Sequence, residues 1–294
     1  MFTRAVITDE ISQDLERAAR MAREFGLDQL EIRTAWDVRI DNMNAQELER
    51  VKGVAERFGL GIVCLATPFY KCDLGNAAEE REHLEILKRS IRAAHVLGAR
   101  IIRTFTFWRQ GELAPVFDRI VAAYREPARI AAGEGVVLGV ENEPACFVGT
   151  GHEAAAFVEA VGSPSVRAVW DPGNACWTGR ERAVPDGYER IKPYIAHVHL
   201  KDVKLPAGGE PEATVLGQGD VGIFDQLAAL VRDGYTGCAS LETHYRIKAQ
   251  LSEAAVNRPG GSAFSEGGEE ASRLCLQAWN EMMARLQPQA KASA

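Results

Sequence analysis

FGLDQLEI (25–32), FGLGIVCL (58–65), LGARIIRT (97–104) and GEGVVLGV (133–140) each record the same event: a helix-like segment closes on glycine and hands over to a β-rich run. Glycine just past the last periodic residue is a frequent helix stop, because it takes the left-handed conformation at little steric cost. Ahead of each handover lies an amphipathic stretch long enough for one crossover helix: DLERAARMAREFG, AQELERVKGVAERFG, EHLEILKRSIRAAHVLG and FDRIVAAYREPARIAAGEG. Helix, glycine, strand, repeated four times, is a structural repeat without sequence repetition.

Outward from these handovers the same alternation continues. The β-rich runs are AVIT (5–8), QLEIR (29–33), GIVCLAT (61–67), ARIIRTF (99–105), VVLGVE (136–141), VRAVWD (166–171), IAHVHLK (195–201) and GCASLE (237–242). Eight strands alternating with helices predict a parallel sheet closed as a single (β/α)8 barrel, a doubly wound open sheet being the structural alternative. The 294 residues suit that architecture, with a barrel over 1–287, a closing helix EEASRLCLQAWNEMMARL, and a loose tail over 288–294. Two Gly/Pro-rich stretches, 202–222 and 243–268, fall after strands seven and eight, at the strand ends where barrels build their active sites.

Composition narrows the partners. Apolar residues make up 46% and charged residues 26%, enough for a full core. The net charge is −7, and no Lys/Arg cluster with interleaved aromatics could follow a phosphate backbone, which argues against nucleic acid. No apolar run reaches the roughly 18 residues of a membrane span, and the N-terminus turns acidic where a signal peptide stays apolar. The expectation is a cytoplasmic protein without a membrane partner; self-association as a dimer or tetramer is compatible with the sequence. Six cysteines without CxxC spacing signal neither zinc knuckle nor disulfide framework, and read as reduced, buried small hydrophobes.

Four metal-binding side chains stand at or near the ends of successive strands: Glu141 in GVENEP, Asp171 in VWDPGN, His199 in HVHLKD and Glu242 in SLETHY. Their spacings of 30, 28 and 43 residues each span one βα unit, the last stretched by a long loop. Neighbouring barrel strands lie about 4.8 Å apart, so four such residues converge on one rim, within reach of one ion. Three carboxylates and an imidazole suit Mn²⁺ best, with Mg²⁺, Co²⁺ or Zn²⁺ as alternatives. Any one of these residues alone reads as a helix cap or a solvated charge; four at matching height would otherwise aim unpaired charges at a shared axis.

The motifs VENEP, WDPGN, HVHLKD, LGQGDVG and LETHY resemble those of the xylose isomerase-like sugar phosphate isomerase/epimerase superfamily, which includes ketose 3-epimerases and inosose dehydratases. The resemblance implies a xylose isomerase-like TIM barrel, the ligand set Glu141, Asp171, His199 and Glu242, and an acid/base pair of Glu141 and Glu242. It implies a divalent-metal-dependent isomerase or epimerase of a keto-sugar or related polyol, working by proton abstraction next to a metal-bound carbonyl. The alternative on the same site is a lyase that dehydrates a cyclic ketone or keto-sugar. Asn174 stands where the ketose 3-epimerases carry a His, their Arg after the metal His is not evident, and HLKD and the Glu-Asn of ENEP lie closer to the dehydratases.

Supporting residues follow from position. Lys201, two after His199, faces the same pocket, to hold a substrate oxygen or to pair with Asp202 or another carboxylate. Glu143 is placed to orient a ligand, bind a hydroxyl, or pair with Arg103 or Lys201. Glu31, Arg33 and Arg103 end strands two and four; His244, Tyr245 and Arg246 open the strand-eight loop toward substrate. Trp36, Trp108 and Trp177 follow strands two, four and six as aromatic walls or core. Asp9 and Glu10 read as first-turn charges of a helix, and His83 and His95 as surface or core. A DNA-repair endonuclease on this barrel would need more His ligands and a basic groove, and a non-catalytic binding module would use the four ligands for stability alone.

Overall fold

The computed structural model describes residues 2–248 and 250–292, with side chains described as far as 286. Eight parallel strands form the barrel wall: β1 (Thr3–Val6), β2 (Gln29–Ile32), β3 (Gly61–Phe69), β4 (Ile101–Thr104), β5 (Val137–Glu141), β6 (Val166–Trp170), β7 (Ile195–Leu200) and β8 (Cys238–Leu241). From β2 to β8 each strand pairs with the next, β1 pairs with β8, and the isolated bridge Ile7↔Glu31 draws β1 to β2, so the sheet nearly closes. The expected barrel is therefore present, and the open sheet is excluded. Helices lie between the strands, and the left-handed glycines expected to stop them do so: Gly98 (φ 70°) and Gly135 (φ 69°) cap the helices Ala77–Leu97 and Arg125–Glu134.

Register explains why the rim residues meet. Glu141 lies opposite Val169, and Asp171 is two residues further on; Val169 lies opposite His197, with His199 two further. His199 lies opposite Ser240, with Glu242 two further. Steps of two preserve the face of a pleated strand, so all four point to the barrel axis, each climbing with the tilt of the wall.

The loops depart from plain coil. Residues 202–222 contain an antiparallel ribbon, Asp202–Lys204 against Glu212–Thr214. The Asp202 carboxylate ties the turn after it together, accepting the backbone N–H groups of Gly217 (2.7 Å), Gly219 (2.9 Å) and Val203 (2.9 Å). The strand-eight loop holds two short helices, Glu253–Asn257 and Ser262–Ser265, and crosses the mouth: Lys71 Nζ donates to Asn257 O (2.9 Å) and Ser262 N–H to Asp37 (2.6 Å). The final helix is Gly268–Ala292, so 288–292 of the expected loose tail continue it as helix, and 293–294 lie outside the described residues. All six cysteines are buried and free. Among the described residues no helix is long and apolar enough to cross a membrane.

Candidate metal centre

Glu141 ends β5, Asp171 follows β6, His199 lies in β7 and Glu242 follows β8. All four are buried, and one ligand atom from each lies within 4.8 Å of the others. A small divalent cation holds ligands at about 2.0–2.2 Å, so opposite ligands stand about 4.3 Å apart. The four donor atoms are therefore spaced on the scale of one ion's ligand shell.

The donor chemistry fits. Asp171 Oδ1 accepts the Asn174 N–H (2.8 Å) as the N-cap of helix Pro172–Trp177, which leaves Oδ2 for the cluster. Asp171 Oδ2 and Glu141 Oε2 are buried and accept no hydrogen bond among the described residues. Charges do stand beside them: Lys201 Nζ lies 2.7 Å from Asp171 Oδ2 and an Arg103 nitrogen 3.3 Å from Glu141 Oε2, ion contacts without hydrogen-bond alignment. Buried oxygens with spare lone pairs are costly unless something positive binds them. Burial pushes the Asp171 carboxyl up to about 7 in spite of Lys201, a strain that a bound cation would relieve.

His199 divides its ring between two duties. Nε2 faces the Glu31 carboxylate at 3.1 and 3.2 Å, while Nδ1 faces Glu141 at 3.2 Å and Glu242 at 3.9 Å. Glu31 also meets His197 Nε2 at 2.9 Å, a nitrogen that shares a second contact with Ser240. A proton on Nε2, held by Glu31, turns the Nδ1 lone pair to the cluster. Burial opposes charge on His199, yet Glu31 and Glu141 together hold its pKa well above the ordinary value, so a cation would compete with a proton there.

Three cations frame the carboxylates. Lys201 Nζ bridges Asp171 and Glu242 (2.6 Å). Arg33 reaches Glu242 (3.1 Å), and is itself held by Asp9 and Glu10. Arg103 lies 3.6 Å from Glu242 as well as beside Glu141. Burial alone would raise the Glu242 carboxyl, but Lys201, His244, His199 and Arg33 hold it well below the usual range. The glycine of WDPGN matters here: a Cβ on Gly173 would fall 2.5 Å from Lys201 Cγ and 2.8 Å from the Lys201 carbonyl, forcing the lysine from its place.

A cavity of about 470 Å³ opens beside the cluster, with Arg33 and Arg103 on its wall together with Lys71, His83, Trp108 and Arg258. Neither this cavity nor a wider, shallower depression of about 750 Å³ between the first helix and residues 262–273 is lined by any of the four rim residues, but Arg33 and Arg103 tie the first to Glu242 and Glu141. Of the residues singled out from sequence, Asn174 binds Glu141 (3.1 Å), and Arg103 and Trp108 line the cavity. Lys201 pairs with Asp171 and Glu242 rather than Asp202, which is occupied by its loop. Glu143 pairs with neither Arg103 nor Lys201 but with Lys71 (2.8 Å), which reaches it from the β3 loop. His244 is buried between Glu10 and Glu242, and Arg246 donates to Phe264 O (2.6 Å); neither is in the cavity wall. Trp36 stacks under Arg50 (3.7 Å), and Trp177 packs partly buried on the core, so neither is a wall of the cavity.

Sequence reasoning placed some residues wrongly. Asp9 and Glu10 are not solvated helix charges; they are fully buried and hold Arg33. Lys71 carried no signal, and His83 gave none toward the cavity that it lines. Both depend on where the β3 loop and the following helix fold over the mouth.

The whole architecture has relatives of known structure. The chain is similar to the probable 3-DHS dehydratase AsbF of Bacillus anthracis (18% identity, 82% of this chain and 92% of that one, TM-score 0.67). It is similar to a xylose isomerase-like TIM barrel protein of Mycobacterium smegmatis solved with magnesium (20% identity, 94% and 97%, TM-score 0.64). It is also similar to the D-psicose 3-epimerase of Clostridium cellulolyticum H10, solved with D-tagatose (16% identity, 97% and 99%, TM-score 0.73). No curated protein matches the sequence significantly. At such identities the likeness establishes the fold, and the sequence itself supplies the rest: residues 19–284 match the xylose isomerase-like TIM barrel family, to which this chain belongs.

Proposed function

We propose that the protein is a divalent-metal-dependent isomerase or epimerase of a keto-sugar or related polyol, with Glu141, Asp171, His199 and Glu242 as ligands and Mn²⁺ as the preferred ion. The observation that carries this reading is the pair of inward glutamates, Glu141 at the end of β5 and Glu242 just after β8, in one buried donor cluster. A divalent ion held there supplies Lewis-acid polarisation of a substrate carbonyl and so acidifies the carbon next to it. The residues supply the proton chemistry. Glu242, held ionised by Lys201 and Arg33, accepts a proton at its carboxylate from that carbon. Glu141, braced by Asn174 and Arg103, is positioned to return a proton on another face or carbon. Magnesium beside the Mycobacterium smegmatis barrel and D-tagatose in the Clostridium epimerase support a cation and a ketose as the classes to test.

A lyase is favoured by one specific feature. Lys201 Nζ lies 2.6 Å from Glu242, so an ammonium donor stands beside the base and could protonate a departing hydroxyl. AsbF, described as a probable 3-DHS dehydratase, shares the fold.

The test is incubation with ketoses and cyclic ketones in deuterated water with Mn²⁺, read by NMR. Deuterium should enter the carbon next to the carbonyl, and Glu242→Gln should lower the rate at least a thousandfold while the circular dichroism stays native. Wild-type exchange in Glu242→Gln would remove Glu242 from the mechanism.

A further inference from the structure

We infer that the cavity beside the cluster selects a substrate carrying an anionic group, a carboxylate or a phosphate monoester, held by Arg258, Lys71 and His83. The inference rests on the mouth being a substrate site, as proposed above. Five cations reach the cavity wall, against two carboxylates, Glu79 and Glu82. Those two are engaged elsewhere: Glu79 accepts the Asp73 N–H (2.8 Å) and the Asn76 side chain (2.7 Å) at the helix start, and Glu82 faces Arg89 (3.2 Å). Of the cations, Arg33 is matched by Asp9, Glu10 and Glu242, and Arg39 by Asp41. Lys71 is matched by Glu143, and Arg103 by Glu141 and Glu242, so what the wall has left over is the charge of Arg258 and a surplus of N–H donors.

Its sources can be named. Arg258 is exposed and makes no ion pair among the described residues; its guanidinium lies over Trp108, 5.4 Å from the ring centre. The Lys71 ammonium stands 5.6 Å from the same ring and spends two N–H groups on Glu143 and Asn257 O, leaving a third. His83 accepts the Tyr70 N–H at Nδ1 (2.7 Å), which places the ring proton on Nε2 as a donor. Arg103, nearly buried on the same wall, has an Nε–H with no acceptor among the described residues.

A sugar hydroxyl both donates and accepts, so a wall built for neutral polyols offers both kinds of partner. This wall offers chiefly donors, and the group that matches them is an acceptor-only oxyanion. None of Lys71, His83 and Arg258 bonds to the four rim ligands, while Arg33 and Arg103 on the same wall do reach Glu242 and Glu141, so the groups offered to the anion are distinct from those spent on the cluster. Pro259, Gly260 and Gly261 follow Arg258, with Gly260 at φ 135° and Gly261 at φ 81°, so the arginine sits on a loop segment whose backbone only glycine adopts readily.

The test measures binding by calorimetry to the Mn²⁺-loaded protein with three probes: D-tagatose, D-tagatose 6-phosphate and 3-dehydroshikimate. At least one anionic probe should bind ten times more tightly than D-tagatose, and Arg258→Ala should shrink that ratio at least fivefold with Mn²⁺ affinity unaltered. Preference for the phosphate ester or for the carboxylate identifies the anion. Equal affinities, no binding by either anion, or an unchanged ratio in Arg258→Ala would overturn the inference. Anion binding without deuterium exchange would leave the subsite standing and count against the isomerase reading, whereas exchange on D-tagatose with no anion preference would do the reverse.

Discussion

At the scale of single residues the site is organised around His199, and Glu31 decides what its ring can do. A ligating imidazole works as neutral base at one nitrogen while its other N–H is held by an acceptor, and losing that acceptor commonly costs about 10–100-fold in metal affinity. Glu31 is fully buried, and its carboxylate is shared between His199 and His197. Glu31→Gln should therefore weaken Mn²⁺ or Co²⁺ binding by about 10–100-fold, read from Co²⁺ absorption titrations, and Glu31→Asp should recover part of the loss. A Glu31→Gln protein with native affinity would show that His199 needs no such brace. The four rim residues were legible from sequence because strand parity and one-unit spacing are local properties. Glu31 was visible only as a residue at a strand end, because its partners come from β7, more than 160 residues away. Asp9 and Glu10 were misread for the same reason: their burial follows from Arg33 reaching back to them across the β1–β2 seam.

At the scale of elements the strands were legible and the loops were not. Each of the eight runs is a strand, with bounds displaced by a few residues; β1 ends at Val6 rather than Thr8, because Thr8–Glu10 tightens into a 3₁₀ turn that turns Asp9 and Glu10 inward. Gly/Pro-rich stretches carry no periodicity, so the ribbon and helices inside them could not be read. Yet Asp202 of HLKD shows how such a loop is fixed: four backbone N–H groups converge on one carboxylate, those of Gly217 and Gly219 at 2.7 and 2.9 Å, with Val203 and Val221. Removing that acceptor strands donors that the ribbon partly shields from water, at about 1–3 kcal/mol for each group left unsatisfied. Asp202→Ala should lower stability by about 2 kcal/mol, since some of those groups recover water, and hydrogen exchange should quicken at 203, 217 and 219. Exchange unchanged at those three amides would mean that the loop is held by something else.

At the scale of the whole molecule, the barrel concentrates three carboxylates at one buried rim and pays for it with Lys201, Arg33 and Arg103. The compensation is incomplete, since Glu141 Oε2 and Asp171 Oδ2 accept no hydrogen bond among the described residues and the Asp171 carboxyl is pushed up to about 7. An ion that binds the folded rim and not the unfolded chain stabilises by mass action, by about 2.7 kcal/mol at a hundredfold excess over its dissociation constant. For a chain of this length that corresponds to a rise in Tm of about 5 °C. The native protein, stripped with chelator and then supplied with Mn²⁺, should show this rise in calorimetry, and Mg²⁺ and Co²⁺ should give smaller or similar shifts at their own hundredfold excess. Asp171→Asn should show a much smaller shift, because the uncharged amide is a poor ligand for a hard cation. A Tm indifferent to all three ions, or an Asp171→Asn shift equal to that of the native chain, would separate the cluster from metal binding and leave Lys201 as the counter-charge in contact with Asp171.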